Sequence, residues 1–252
     1  MAFLKFSNRI NPILLGQWLT ALAIAAWGIL LLKYWIFEKL GLLIHPHYFG
    51  IVIAAGVFLC GLAIAQGWTL WRRPSGPQLQ HFSLIPPIWL TGILLGAALV
   101  GILGNPRPFT SQTALQRGLQ DATLTRRTQS FRTQTNPEQR SLLDWVTTLD
   151  AYPEPDAYTA QKVNVEGFVV HTDNLPEDYL TLTRFVITCC ATDVYPVGFP
   201  VKLTQPRSAY PEDQWFRVKG EMQTETLNDR RQLVIQANSL ESIPEPKNPY
   251  DY

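Results

Sequence analysis

The stretch Ile13–Leu32, ILLGQWLTALAIAAWGILLL, runs for 20 residues without a charged side chain. At a rise of about 1.5 Å per residue, a helix of this length matches a hydrocarbon core roughly 30 Å thick. Lys5 and Arg9 before it would also suit a secretory signal peptide, but the apolar run continues past the usual length of such a segment. The stretch therefore predicts a transmembrane helix.

Two further uncharged runs follow, Tyr48–Leu70 and Phe82–Leu103. None of the three runs has a polar face that would meet water, which excludes a bundle of soluble amphipathic helices. We therefore expect a membrane α-helical N-terminal module over residues 1–104, with three spans near residues 13–35, 48–70 and 82–103.

The net charge of +1 for the whole chain conceals an uneven distribution. Residues 1–103 carry six basic side chains and one acidic one, whereas residues 161–252 carry nine basic and thirteen acidic ones. Basic residues gather on the N-terminal side of the spans, so the positive-inside rule predicts a cytoplasmic N-terminus and an extracytoplasmic C-terminal domain. Three spans would also bring the first loop, with His45 and His47, to the side of the C-terminal half.

The segment 105–158 is polar and is expected to be a linker with a docking helix near residues 137–149. Asn136-Pro137 is a typical helix start, and leucines, Trp145 and Val146 follow it at helical spacing. Residues 159–252 change to a period of two, in short runs separated by turn residues. This pattern predicts an all-β C-terminal domain, a small OB-like five-stranded antiparallel barrel. Its strands are expected at residues 163–169, 182–189, 197–203, 215–222 and 233–240.

Many OB folds bind single-stranded nucleic acid through a basic groove and exposed aromatic side chains. The predicted barrel has a charge of −4 and its Arg230-Arg231 pair lies beside acidic residues. A nucleic-acid partner is therefore not expected. The chain also has no phosphate-binding glycine loop and no set of serine, histidine and aspartate residues typical of hydrolases, so we do not expect an enzyme.

The motif Arg184–Gly198, RFVITCCATDVYPVG, contains two of the three cysteines in the chain. If the strand continued through Thr188, Cys189 would lie on the core face, while Cys190 would lie on the outer face beside Arg184. If the strand instead ended near Cys189, both sulfurs and the carboxylate of Asp193 would come together. The third cysteine, Cys60, lies within the second apolar run and is expected to contribute packing.

Several roles for the pair remain open at this point. Cys189, Cys190 and Asp193 would be ligands of zinc or another divalent metal ion, with His45, His47 or His171 completing the four that zinc prefers. A vicinal disulfide would distort the intervening peptide. A thiol of lowered pKa at Cys190, favoured by Arg184, would support redox or transfer chemistry. Two small residues packed in the barrel wall are the simplest alternative. The protein as a whole would then be a purely structural membrane interaction protein rather than a ligand-binding subunit or an envelope thiol redox protein.

Five stretches together resemble the YcgQ-like permease subunits, a bacterial family of three-span membrane proteins with a C-terminal CCAxD domain. They are Ile44–Tyr48 (IHPHY), Ala114–Gly118 (ALQRG), Val165–Val169 (VEGFV), the motif Arg184–Gly198, and Pro249–Tyr252 (PYDY). The resemblance implies an accessory subunit of a two-component membrane permease, with an integral multi-span YcgR-like permease as its partner and a substrate or metal ion as its ligand. It also implies that Arg184, Cys189, Cys190 and Asp193 are functional residues.

Overall fold

The computed structural model describes residues 12–72, 87–119 and 136–252, and the chain divides into two compact units, Met1–Pro106 and Arg107–Tyr252. The first unit is helical, as predicted. Its helices are α1 (Pro12–Ile36), α2 (Phe49–Arg72) and α3 (Pro87–Leu103).

Two segments of this unit are long and apolar enough to cross a membrane, Leu14–Ile36 and Pro46–Arg72. They indicate that the protein is associated with a membrane. The third apolar helix, Ile88–Leu103, is shorter, and the first residues of the predicted span 82–103 lie outside the described residues. The count of three spans therefore stays a prediction.

Close packing at small residues and side-chain hydrogen bonds to carbonyl groups hold the helices of the first unit together. A Cβ atom at Gly28 would come within 2.7 Å of the Cys60 sulfur and 3.0 Å of the Gly56 carbonyl oxygen, so α1 and α2 approach closely at this point. The last turn of α3 leaves carbonyl groups without helical partners. Lys33 and Tyr34 of α1 donate hydrogen bonds to two of them, the carbonyls of Ile102 and Gly101.

The second unit contains a six-stranded sheet, one strand more than predicted. Five strands match the predicted period-two runs, and the sixth is a two-residue strand at the C-terminus. The strands are β1 (Lys162–Val170), β2 (Tyr179–Val186), β3 (Tyr195–Lys202), β4 (Trp215–Leu227), β5 (Arg230–Ser242) and β6 (Tyr250–Asp251).

The strands pair in the order β1-β4-β5-β3-β2-β6, with a further pairing between β1 and β2. Most pairs are antiparallel, but β3 with β5 and β2 with β6 are parallel, so the sheet is mixed rather than purely antiparallel. Gly220 lies at a bulge between β4 and β5, where a Cβ atom would be 2.1 Å from the carbonyl oxygen of Gln236. Only glycine allows this close approach.

Helix α5 (Leu142–Ala151) covers part of the sheet and buries Leu142, Trp145 and Val146 in the same core as the strands. It begins later than the predicted start near residue 137. Asn136 instead caps a separate 3-10 turn, Pro137–Gln139, because Arg140 after it is extended. The cap of α5 is a reciprocal capping box between Ser141 and Asp144, which satisfies two backbone N–H groups of its first turn.

Candidate thiol site

The cysteine pair lies in the eight-residue loop between β2 and β3, here called the thiol loop (residues 187–194). Strand β2 ends at Val186, which pairs with Tyr195 of β3. Ile187 and Val194 at the two ends of the loop are buried, whereas Cys189 is exposed and Cys190 is half-buried. The register that places Cys189 in the core is therefore wrong, because the strand stops three residues earlier and Ile187 fills the core position.

A tight turn brings Cys190 and Asp193 together. The backbone N–H of Asp193 donates to the carbonyl of Cys190 over 3.0 Å, and the backbone N–H of Cys190 donates to the Asp193 carboxylate over 3.2 Å. The carboxylate thus holds the backbone of the turn. The early strand end and the turn of that alternative are present, and the carboxylate contacts the backbone of Cys190 rather than a sulfur atom.

The two thiols are free and differ in acidity. The Cys190 sulfur is 2.9 Å from the hydroxyl oxygen of Thr192, and this hydrogen bond is the main cause that lowers the pKa of Cys190. Partial desolvation, followed by the charge of Cys190, raises the pKa of Cys189. A hydrogen bond between the two thiols also raises the pKa of Cys189 and lowers that of Cys190. Cys190 is therefore the more readily deprotonated of the two thiols.

Arg184 does not act on the thiols. Its Nε atom is 3.2 Å from Asp251 Oδ1, and the side chains of this ion pair are only 15% and 14% exposed. Its guanidinium also donates to the carbonyl of Asn248 and lies 5.5 Å from the centre of the Trp215 ring. The expectation that Arg184 lowers the pKa of Cys190 is wrong, because Thr192 supplies that effect and Arg184 fastens the C-terminal strand.

Residues distant in sequence hold both ends of the thiol loop. The backbone N–H of Ile187 donates to the carbonyl of Asp251 over 3.0 Å, as part of the β2–β6 pairing. At the other end, the guanidinium of Arg117 donates to the carbonyl of Val194 over 2.5 Å. The loop is therefore anchored by β6 on one side and by the residue that ends α4 (Ser111–Gln116) on the other.

Aromatic contacts connect these two anchors. The guanidinium of Arg117 lies 5.1 Å from the centre of the Phe109 ring, and the backbone N–H of Phe109 donates to the hydroxyl of Tyr250. Both rings also contact Phe185 of β2. Three of the stretches that carry the resemblance, ALQRG, the CCAxD motif and PYDY, thus meet at one place.

Two of the predicted histidine ligands, His45 and His171, make other hydrogen bonds. His45 caps a 3-10 turn, where its Nδ1 atom accepts a hydrogen bond from the backbone N–H of His47 over 3.1 Å. His171 follows β1, and its Nε2 atom lies 2.9 Å from the carbonyl oxygen of Tyr210. Within the part of the chain that the structure describes, no three His, Cys, Asp or Glu side chains are grouped so as to hold a metal ion.

The thiols lie on an open surface. The second unit has a groove of about 640 Å³ beside β3 and the turn between β4 and β5, and a smaller cavity of about 310 Å³ beside β6. Neither is lined by Cys189 or Cys190. The two thiols are therefore not part of either of these cavities.

Sequence reasoning missed Thr192, Arg117 and the structural role of Asp251. Thr192 occupies the variable position of CCAxD, so the motif gives it no weight. Arg117 and Asp251 do belong to ALQRG and PYDY, the conspicuous stretches of the resemblance, and that association is the only signal that points to them.

Comparison with known proteins gives one match. The family model described as the DUF1980 C-terminal domain matches residues 120–252. Searches of the curated proteins and of the solved structures return no match. Because the matched region is more than half of its length, the chain belongs to the DUF1980 C-terminal domain family.

Proposed function

We propose that this protein is an accessory subunit of a two-component membrane permease, and that its C-terminal domain uses the thiol loop to bind a thiophilic ion or substrate. The observation that carries the proposal is the state of Cys189 and Cys190. Both are free thiols, Cys189 exposed and Cys190 half-buried with a lowered pKa, in a loop that is anchored at both ends. Two packing residues in a barrel wall would need none of these features.

The membrane part of the proposal rests on the helical unit. Large apolar side chains of α2 and α3 are exposed, including Ile51, Phe58, Ile64, Trp89 and Val100. Such faces suit lipid or the helices of a multi-span permease. The uneven distribution of basic residues and the resemblance to YcgQ-like subunits support a cytoplasmic N-terminus, an extracytoplasmic C-terminal domain and a YcgR-like partner.

The fold of the C-terminal unit is consistent with such a binding module, and we infer that it is an OB-type barrel. Strand β1 pairs with both β4 and β2, so the pairings β1-β4-β5-β3-β2 return to β1. This circuit supports closure of the five long strands, with the parallel β3–β5 pairing completing it. In such a barrel, the thiol loop would join two adjacent strands of the wall.

The test is thiol-dependent metal binding by the full chain in detergent, under reducing conditions. We expect zinc or cadmium to bind with a stoichiometry near one per chain, and the Cys189→Ser and Cys190→Ser variants to lose this binding. The matched control is Cys60→Ser, which removes the cysteine that packs between α1 and α2. Equal metal binding by the wild-type protein and the double serine variant would overturn the proposal. The full chain is used because Trp145 and Leu142 belong to the core of the sheet.

A second candidate function is thiol redox chemistry in the envelope, and the opposite pKa shifts of the two cysteines favour it. In that case Cys190 would attack a disulfide of a partner oxidoreductase and Cys189 would resolve the mixed disulfide, leaving a vicinal disulfide. Mass spectrometry after alkylation of the native protein separates the two functions. A disulfide between Cys189 and Cys190 supports the redox function, and two alkylated thiols support ion binding.

A further inference from the structure

We propose that the thiol loop is a chelating site for trivalent metalloids, the class of monosubstituted arsenicals and antimonials, with Cys189 and Cys190 as its two ligands. The inference rests on the proposed function, because it specifies the kind of ion that the same pair of thiols takes. Its basis is the donor set of the loop and the position of two adjacent free cysteines in an anchored, accessible turn.

The donors that the loop offers are soft. Cys189 and Cys190 are adjacent in the chain and both are free, with Cys189 exposed and Cys190 half-buried. The carboxylate of Asp193 is directed at the backbone N–H of Cys190, where it stabilises the turn. Thiolates favour soft, thiophilic centres over hard cations. A trivalent arsenic or antimony centre that already carries one substituent needs two thiolates and no imidazole or carboxylate.

Adjacent cysteines suit this chelate better than they suit a disulfide. A vicinal disulfide closes a small ring and distorts the peptide between the two residues. A bridging arsenic atom enlarges that ring by one atom and lengthens both bonds to sulfur, which relieves the distortion. Because the backbone is held at Ile187 and at Val194, less backbone entropy is lost when the loop binds a ligand.

The reaction balances without any redox partner. With phenylarsine oxide, the Cys190 thiolate forms the first arsenic–sulfur bond and Cys189 forms the second. The arsenic–oxygen bond breaks, and the oxygen leaves as water with the two thiol protons. Arsenic stays trivalent throughout, so neither an oxidant nor a reductant is consumed.

The experiment treats the reduced full chain in detergent with one equivalent of phenylarsine oxide in the presence of a monothiol such as mercaptoethanol. We expect intact mass spectrometry to show one phenylarsenic group per chain. Both thiols of the loop should then no longer react with a thiol reagent, and dimercaptopropanol should release the group. The Cys60→Ser variant should behave in the same way. In the Cys189→Ser and Cys190→Ser variants, the monothiol should remove the phenylarsenic group. Circular dichroism checks that these variants are folded.

Other outcomes would overturn the inference. If the monothiol removes the phenylarsenic group from the wild-type protein as readily as from the single serine variants, no chelate forms. If cadmium or zinc binds through the loop but phenylarsine oxide does not, the metalloid assignment is wrong and the proposed function stands. If the folded, reduced protein binds none of these probes, both proposals fail.

Discussion

Thr192 is the residue that makes the two thiols unequal. Its hydroxyl group is 2.9 Å from the Cys190 sulfur and lowers the pKa of that thiol. We expect Thr192→Val, which removes the hydroxyl group, to shift the pH profile of Cys190 alkylation by iodoacetamide to higher pH, since only the thiolate reacts. Thr192→Ser keeps a hydroxyl group and is the control. Identical profiles for the valine and serine variants would mean that the hydroxyl group is not the cause.

Arg184 and Asp251 form the most buried ion pair of the thiol site, so loss of one partner leaves a charge in a poorly solvated place. Burial is also the main cause that raises the pKa of Asp251, and Arg184 lowers it only in part. We expect Arg184→Met to reduce the free energy of unfolding by about 3 kcal/mol. The measurement is urea pulse proteolysis of the full chain.

The matched comparison is the double variant Arg184→Met with Asp251→Leu. It should recover much of the lost stability, because no unpaired charge remains. If the loss of unfolding free energy in the double variant equals the sum of the losses in the two single variants, the two side chains are not coupled.

Part of this site can be predicted from residues alone. The residues leave two alternatives open, a strand through Thr188 or a turn that ends at Asp193, and the structure has the turn. The exposure of Cys189 could not be derived, because alternation along β2 gives no signal for the strand end at Val186. The role of Arg184 depends on Asp251, which lies far along the chain, and short-range patterns do not report such contacts.

At the level of elements, the thiol loop depends on β6 and on the end of α4. Arg117 holds the carbonyl of Val194, and Asp251 holds the N–H of Ile187. We expect Arg117→Ala to speed amide hydrogen exchange within the thiol loop and leave exchange in β4 and β5 unchanged, since local opening exposes only the released segment. Arg230→Ala, at the start of β5, is the control. Unchanged exchange in the loop would show that Arg117 is not an anchor.

The elements differ in how well periodicity predicts them. The period of two in the sequence predicts each of the five long strands, although β2 is buried along nearly its whole length in the structure. Strand β6 has only two residues, too few to show a period, and it pairs with Phe185 and Val186 of β2, beyond the residues of β2 that pair with β1. Helix α5 is shifted from its predicted range because two capping signals, Asn136 and Ser141, lie close together and the second one starts the helix.

At the scale of the whole molecule, the orientation in the membrane determines which ions the thiol loop meets. We expect a membrane-impermeant maleimide to label the Cys60→Ser variant in intact cells, because Cys189 is exposed and the C-terminal domain is proposed to be extracytoplasmic. The variant that also lacks Cys189 and Cys190 is the control for background. Labelling only after the cells are lysed would place the domain in the cytoplasm.

The thiolate-to-cadmium charge-transfer band in the ultraviolet tests the central claim most directly, because it appears only when sulfur binds the ion. Titration of the reduced full chain with cadmium should give this band with an end point near one ion per chain. The Cys60→Ser variant should give the same curve, and the Cys189→Ser/Cys190→Ser variant should give none. A band that persists in the double variant, or no band in the folded wild-type protein, would contradict a thiol site in this loop.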